Sequence, residues 1–147
     1  MINRIEIITR LNQIVENKIR QLQGLIEDLR NSHTDTKSSM GDKYETSREM
    51  LQQEIMQIQW QLAVFQQHQI AVKKLMESNS DIIKFGSIVK TTFGNFIIVT
   101  SLGEFELNVE KFISISEQTP LAEQLIGKKS GDFFLMNQKI FEILKVG

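Results

Sequence analysis

The sequence predicts an α+β chain, with a long antiparallel helical hairpin packed as a coiled coil and then a small β-rich domain with one short helix. Three observations carry this. Residues 1–78 hold only two of the eight glycines, Gly24 and Gly41, whereas 79–147 hold the other six and the single proline, Pro120. Apolar residues in the first part recur at steps of three and four, the period of helices meeting along one seam. Eight of the nine phenylalanines lie after residue 79, in runs that alternate apolar and polar as half-buried strands do. The chain therefore divides into a hairpin over 1–78 and a second domain over 79–147, with the polar stretch Ser78-Asn79-Ser80-Asp81 between them.

The first helix is read over residues 3–30. Ile8, Leu11, Val15, Leu22, Leu25 and Leu29 form a heptad seam broken once by Lys18. Ile5, Ile14, Ile19 and Ile26 widen its apolar face. The second helix is read over 42–77, with Leu51, Ile55, Ile58, Leu62, Phe65, Gln69, Val72 and Met76 stepping by four and three. Between them lies Asn31-Ser32-His33-Thr34-Asp35-Thr36-Lys37-Ser38-Ser39-Met40-Gly41, polar and rich in turn formers. Neither stripe is stable alone, because each leaves a full apolar seam in water. Two such helices fold back on one another, giving a finger with its tip near residues 32–45.

The second part is read as a sheet of about five strands. Ser87–Thr92 and Asn95–Thr100 are β-branched and aromatic runs separated at Phe93-Gly94. Phe105–Val109 and Phe112–Ser116 alternate apolar and polar, and Phe133–Met136 and Lys139–Val146 flank the hairpin signal Asn137-Gln138. One helix interrupts the strands: Thr119 as N-cap, Pro120 at the first helical position, Leu121–Ile126 as its body and Gly127 just past its end. A domain of under 70 residues has a marginal core, so the phenylalanines are expected mostly inside.

Composition excludes several classes. Seventeen basic against eighteen acidic residues leave a formal charge of −1, and a nearly neutral chain does not hold duplex DNA by bulk electrostatics. The absence of cysteine rules out disulfides, thiolate zinc sites and a cysteine nucleophile. No apolar run is long enough for a signal peptide or a membrane span. There is no glycine-rich phosphate loop, no Gly-x-Ser-x-Gly and no His-Glu-x-x-His, so a self-sufficient enzyme is not expected.

The chemistry concentrates at the tip, in Gly41-Asp42-Lys43-Tyr44-Glu45 with Glu49 one turn on. Asp42 and Glu45 are three apart and share a helix face. Two hard oxygen ligands can hold Mg²⁺ weakly, leaving most of its coordination shell to water or to another molecule, so such a tip would complete a metal site that another protein begins. Asp-x-x-Glu at a helix start is also a capping box. Spacing alone favours the cap, and a capping carboxylate keeps free lone pairs. His33 reads as a solvated loop residue, His68 as a helix-face residue beside the seam and Trp60 as cover for the coiled-coil flank. Tyr44 is placed to touch a partner, and Lys128-Lys129 form a solvated turn.

Two segments then resemble a known family. Ile113-Ser114-Ile115-Ser116-Glu117-Gln118-Thr119-Pro120-Leu121-Ala122-Glu123-Gln124-Leu125-Ile126-Gly127-Lys128-Lys129-Ser130-Gly131-Asp132 resembles the C-terminal signature of the bacterial Gre factors, the GreA/GreB transcript-cleavage family. That signature is an apolar-Ser strand, Ser-Pro, a short helix and Gly-Lys-x-x-Gly-Asp. Gly41-Asp42-Lys43-Tyr44-Glu45 resembles the family's Gly-Asp-x-x-Glu, and the order of finger and β-domain is also the family's. The resemblance implies an FKBP-like C-terminal domain that docks at the rim of the secondary channel of bacterial RNA polymerase, through Gln118, Thr119, Pro120, Leu121 and Ala122. It implies that Asp42 and Glu45 help the polymerase's own aspartates hold a second Mg²⁺, which activates a water to cut backtracked RNA. The partners so implied are the polymerase and the 3′ end of the nascent RNA within it, with no membrane and no sequence-specific DNA binding. The chain would then be a cytoplasmic factor that stimulates the polymerase's nuclease and is not itself an enzyme. Where family fingers carry Asn, Ala, Glu and Tyr after the tip glutamate, this chain has Thr46-Ser47-Arg48-Glu49, and Tyr44 stands between the acids in place of a small or basic residue.

Some relatives bind the same channel and modulate transcription without cutting RNA, which is the first alternative. A coiled-coil chaperone or interaction protein is the second; a clamp for unfolded chains wants apolar residues at its tip, and this tip is polar and acidic. A prolyl isomerase ranks below both, because that activity needs an aromatic pocket open to solvent.

Overall fold

The computed structural model describes residues 2–35, 41–75 and 80–147, and the side chains of all of these except residues 33–35 and 41–46. Two helices come first, α1 (Arg4–Asp35) and α2 (Gly41–Lys73). Six strands and one helix follow: β1 (Ile88–Thr91), β2 (Asn95–Ile98), β3 (Gly103–Leu107), β4 (Glu110–Ile115), α3 (Pro120–Leu125), β5 (Phe133–Met136) and β6 (Lys139–Val146). The predicted α+β class is therefore observed, with six strands rather than about five. Of the predicted connector over 31–41, residues 31–35 continue α1 and Gly41 begins α2; residues 36–40, the seam position Met76 and most of the predicted polar linker, Ser78-Asn79, lie outside the described residues. No helix among the described residues is long and apolar enough to cross a membrane. The chain clusters into two compact units, Met1–Asn12 with Ile70–Gly147, and Gln13–Gln69.

The unit over Gln13–Gln69 is a two-helix hairpin. Its antiparallel sense follows from its contacts: the Lys18 ammonium lies 5.9 Å from the centre of the Phe65 ring, and Arg30 borders the same hollow as Arg48, Leu51 and Ile55. On α2 the predicted seam holds, with Leu51, Ile55, Ile58, Leu62 and Phe65 each half-buried. On α1 it drifts. Val15, Ile19, Leu22 and Ile26 are buried, whereas Leu25 is exposed. A straight helix has 3.6 residues per turn, so its buried stripe slips about 20° per heptad against a 3.5 repeat. Ile19 and Ile26 therefore take the inward positions that a strict heptad assigns to Lys18 and Leu25. Lys18 lies at the seam's edge, its stem half-buried and its charge over an aromatic face.

The other unit is built on one sheet of order β3-β4-β2-β1-β6-β5. Neighbouring strands are antiparallel except β2 and β4, which run parallel in the register Phe96↔Ile113, Ile97↔Ser114 and Ile98↔Ile115. Alternate residues then separate the two faces. Val89, Phe96, Ile98, Ile115, Phe134 and Ile143 form a buried cluster with Ala122 and Leu125 of α3 and with Ile83. Ile88 and Ile97, directly opposed across β1 and β2, are fully buried on the other face. There the first turns of α1 lie against the sheet: Ile2, Asn3, Glu6 and Ile7 share a recess with Lys90, Leu107, Asn108, Glu110 and Phe112. The Asn108 side-chain amide donates to Glu6 Oε2 at 2.9 Å. Asn3 starts α1 by accepting from the Glu6 N–H at 3.2 Å. The phenylalanines divide more evenly than expected: Phe96, Phe105, Phe112 and Phe134 are buried, whereas Phe93 and Phe133 are exposed.

Candidate functional site

The expected site has two parts, one in each unit. The first is the acid pair. Asp42 and Glu45 fall in the first turn of α2, directly after Gly41. The backbone there is helical, so residues three apart lie on one face. Their side chains lie outside the described residues, as do those of His33 and Tyr44. The donor chemistry, two carboxylates at this spacing, suits a hard cation that keeps part of its shell elsewhere. Among the described residues no group of three or more His, Asp or Glu is placed to hold a metal.

The second part is the segment Gln118–Ala122, and here every bond is resolved. Thr119 has extended backbone (φ −73°, ψ 149°) and its Oγ1 accepts from the Ala122 N–H at 3.2 Å, which makes it the N-cap of α3. The same hydroxyl donates to the Ser116 carbonyl at 2.9 Å, and the Gln118 N–H donates to Ser116 Oγ at 3.3 Å. Pro120 occupies the first turn, where no N–H partner is needed. The loop before α3 is thus fixed by its own short-range bonds. Gln118 and Pro120 are exposed, Leu121 is half-buried against the core, and Ala122 is completely buried. A partner at this surface would meet Gln118 and Pro120 directly, while Thr119 and Ala122 hold them in place from below.

The Gly-Lys-x-x-Gly-Asp stretch has a structural explanation of its own. Gly127 sits at φ +89° just beyond α3, the left-handed conformation that ends helices, and its N–H donates to the Ile83 carbonyl at 2.8 Å. Asp132 closes the following turn by accepting from the Lys129 N–H at 2.9 Å, while its own N–H donates to the Lys129 carbonyl at 3.0 Å. The Lys128 ammonium caps the Gln124 carbonyl. These residues build the turn that returns the chain to β5.

Two features of the hairpin escape a reading by residue type. A hollow of about 440 Å³ is lined by Arg30, Arg48, Leu51, Gln52, Ile55, Met56 and Gln59, so Arg30 faces an apolar recess rather than only solvent. Trp60 is 73% exposed, in a shallow recess with Gln53, Met56, Gln57 and Gln61 on the outer face of α2, rather than covering the seam. Its position opposite the α2 seam, nine residues beyond Leu51 at 100° per residue, was the available signal. Burial lowers the pKa of Arg4 and of His68 below their ordinary values, and neither lies in the Gln118–Ala122 segment or beside the acid pair in sequence.

No family model matches the chain, and no curated protein matches it. Among solved structures it is similar to the GreA factor homolog 1 (Gfh1) protein of Thermus thermophilus, at 18% identity over 95% of this chain and 94% of that one, with a TM-score of 0.35. It is similar to Thermus aquaticus Gfh1 at 18% identity over 94% of this chain and 92% of that one, with a TM-score of 0.34. A further structure of the transcription factor Gfh1 gives 18% identity over 95% and 92%, with a TM-score of 0.35.

Proposed function

We propose that this chain is a Gre-type transcription elongation factor that binds bacterial RNA polymerase by way of the secondary channel and assists cleavage of backtracked RNA by the polymerase's own active site. One observation carries the reading: an Asp-x-x-Glu pair occupies the first turn of the second helix of an antiparallel hairpin, immediately after the connection. In that position two carboxylates can be presented to a metal held by another protein. The second domain supports it by offering Gln118 and Pro120 on a rigid, capped helix start.

In this role Asp42 and Glu45 would help the polymerase hold a second Mg²⁺, and the two ions together would supply charge stabilisation to the attacking and the leaving oxygen. The chain's own contribution is to place two anions, and no nucleophile or proton carrier of its own is required. It would act where the polymerase is, in the cytoplasm, touching the RNA 3′ end only within the complex and reading no DNA sequence. The second reading, a channel-binding regulator that does not cut, rests on a specific observation. Tyr44 between the acids and Thr46-Ser47-Arg48-Glu49 after them replace the residues that the family carries there.

The test uses the cognate polymerase halted in a backtracked complex with 5′-labelled RNA. Addition of the protein is expected to shorten the RNA, and Asp42→Ala or Glu45→Ala to abolish the shortening while polymerase binding persists. Binding without shortening would establish the regulator. No binding at all would remove both.

A further inference from the structure

The two edges of the sheet are built differently. β3 ends one side and carries Glu104 and Glu106, with Lys111 3.6 Å from Glu104; charges on an edge strand discourage another strand from adding to it. β5 ends the other side and reads Phe-Phe-Leu-Met, with no charge, no proline and no bulge in its pairing to β6. Phe134 faces the core beside α3, so Phe133 and Leu135 point to the opposite face, where they are 58% and 52% exposed. The register Leu135↔Ile140 and Phe133↔Glu142 puts Ile140, 72% exposed, on that face as well. The first turns of α1 lie on this face against β1, β3 and β4, whereas Phe133 and Leu135 of β5 stay exposed on it. An uncharged edge joined to an exposed apolar patch is what strand addition requires.

We propose that β5 pairs antiparallel with β5 of a second copy of this chain, joining two six-stranded sheets into one. Symmetry selects the register. Directly opposed residues in an antiparallel pair share a face, and a two-fold axis normal to the sheet preserves faces, so only pairings in which one residue opposes its own copy are allowed. Centring on Phe134 sets Phe133 opposite Leu135 of the second copy, apolar against apolar, and merges the two exposed patches. Centring on Leu135 instead sets Phe133 opposite Asn137. The Phe134 register also places Asp132 opposite Met136 of the second copy, whose β6 neighbour is Lys139. Opposite charges then lie two strands apart on one face, about 10 Å. The occupant is a second copy rather than a charged extended segment because the edge is neutral, Asp132 and Lys139 complement each other across the axis, and Glu142, the β6 neighbour of Phe133, meets Leu135 and Ile140 of the second copy rather than a like charge.

The full chain is expected to shift from monomer to dimer mass with concentration in sedimentation velocity. Leu135→Lys is expected to raise the midpoint at least tenfold while leaving the melting temperature and the circular dichroism spectrum unchanged. Register is tested in parallel. The chain has no cysteine, so equimolar Phe133→Cys and Leu135→Cys proteins mixed under mild oxidation are expected to crosslink faster than either alone. A monomer at every concentration would overturn the proposal. So would a dimer that Leu135→Lys leaves intact, or crosslinking no faster in the mixture. Should Leu135→Lys fail to fold, the crosslinking result alone decides.

Discussion

The Arg4 guanidinium donates to the carbonyl of Gly86 at 2.7 Å, and the same nitrogen reaches the carbonyl of Gly147 at 3.0 Å. Its other terminal nitrogen donates to the Leu75 carbonyl at 3.3 Å. One side chain at the start of α1 thereby gathers three backbone segments of its unit. Ile7 and Leu11, just beyond it on α1, are buried. Hydrogen bonds to a charged group stabilise by about 1.5–3 kcal/mol each but are not additive within one side chain. Arg4→Ala is expected to lower stability by about 2–3 kcal/mol in urea denaturation. Arg4→Lys is expected to recover only part of this, since a single ammonium cannot span three carbonyls in a fixed fork. An unchanged midpoint for Arg4→Ala would show that the anchor is dispensable.

The β3–β4 hairpin turns through Asn108 and Val109, at φ +52° and +70°. Two positive φ values in a two-residue loop match the right-handed twist of the strands. A β-branched residue in that region is strained, however, and Val109 is 89% exposed with no packing in return. Val109→Gly is expected to raise stability by about 1 kcal/mol, giving the Asn-Gly pair this turn prefers. A fall in melting temperature would show that Val109 contributes something beyond the turn.

Thr119→Ala removes the oxygen that caps α3 at the Ala122 N–H. A loss of about 1 kcal/mol is expected, with Thr119→Ser near the parent value. If Gln118 and Pro120 contact polymerase, Thr119→Ala should weaken binding as well, by loosening the loop that positions them. Binding unaffected by Thr119→Ala, Gln118→Ala and Pro120→Ala together would place the docking surface elsewhere.

His68 lies edge-on to Phe65, with ring centres 5.2 Å apart, and partial burial lowers its pKa below the ordinary 6.5. Well above pH 6.5 both folded and unfolded chains hold it neutral, so it adds no pH dependence there. Below that value the unfolded chain takes the proton first, so stability is lost as pH falls through the folded pKa. The imidazole shift followed by NMR should show a midpoint under 6.5, and His68→Gln should flatten the stability profile between pH 7 and the folded midpoint. A midpoint at or above the ordinary value would contradict the burial.

Much of the fold was legible because its signals are local. The helix periods, the Thr119-Pro120 start and Gly127 stop of α3, and the Asn137-Gln138 turn each depend on a few adjacent residues. The turn at Asn108-Val109 was not legible. It contains no glycine, and Val109 continues the strand alternation that Phe105 and Leu107 begin. The acid pair Asp42 and Glu45 could be read from spacing, whereas the burial of Ala122 inside the proposed docking segment could not.

By itself the sequence determined where most of the helices and strands lie, where the chain divides in composition, and which side chains are chemically able to meet a metal or a partner. Tertiary structure alone decided that Arg4 reaches carbonyls 71, 82 and 143 residues away. It also decided that the α1 seam runs through Ile19 and Ile26, and that β5 ends the sheet with its apolar face uncovered. The physical reason is range. Propensity, capping and periodicity act over one or two turns of chain, whereas strand order and the face a helix covers are settled by contacts between residues far apart in sequence, which no local pattern encodes.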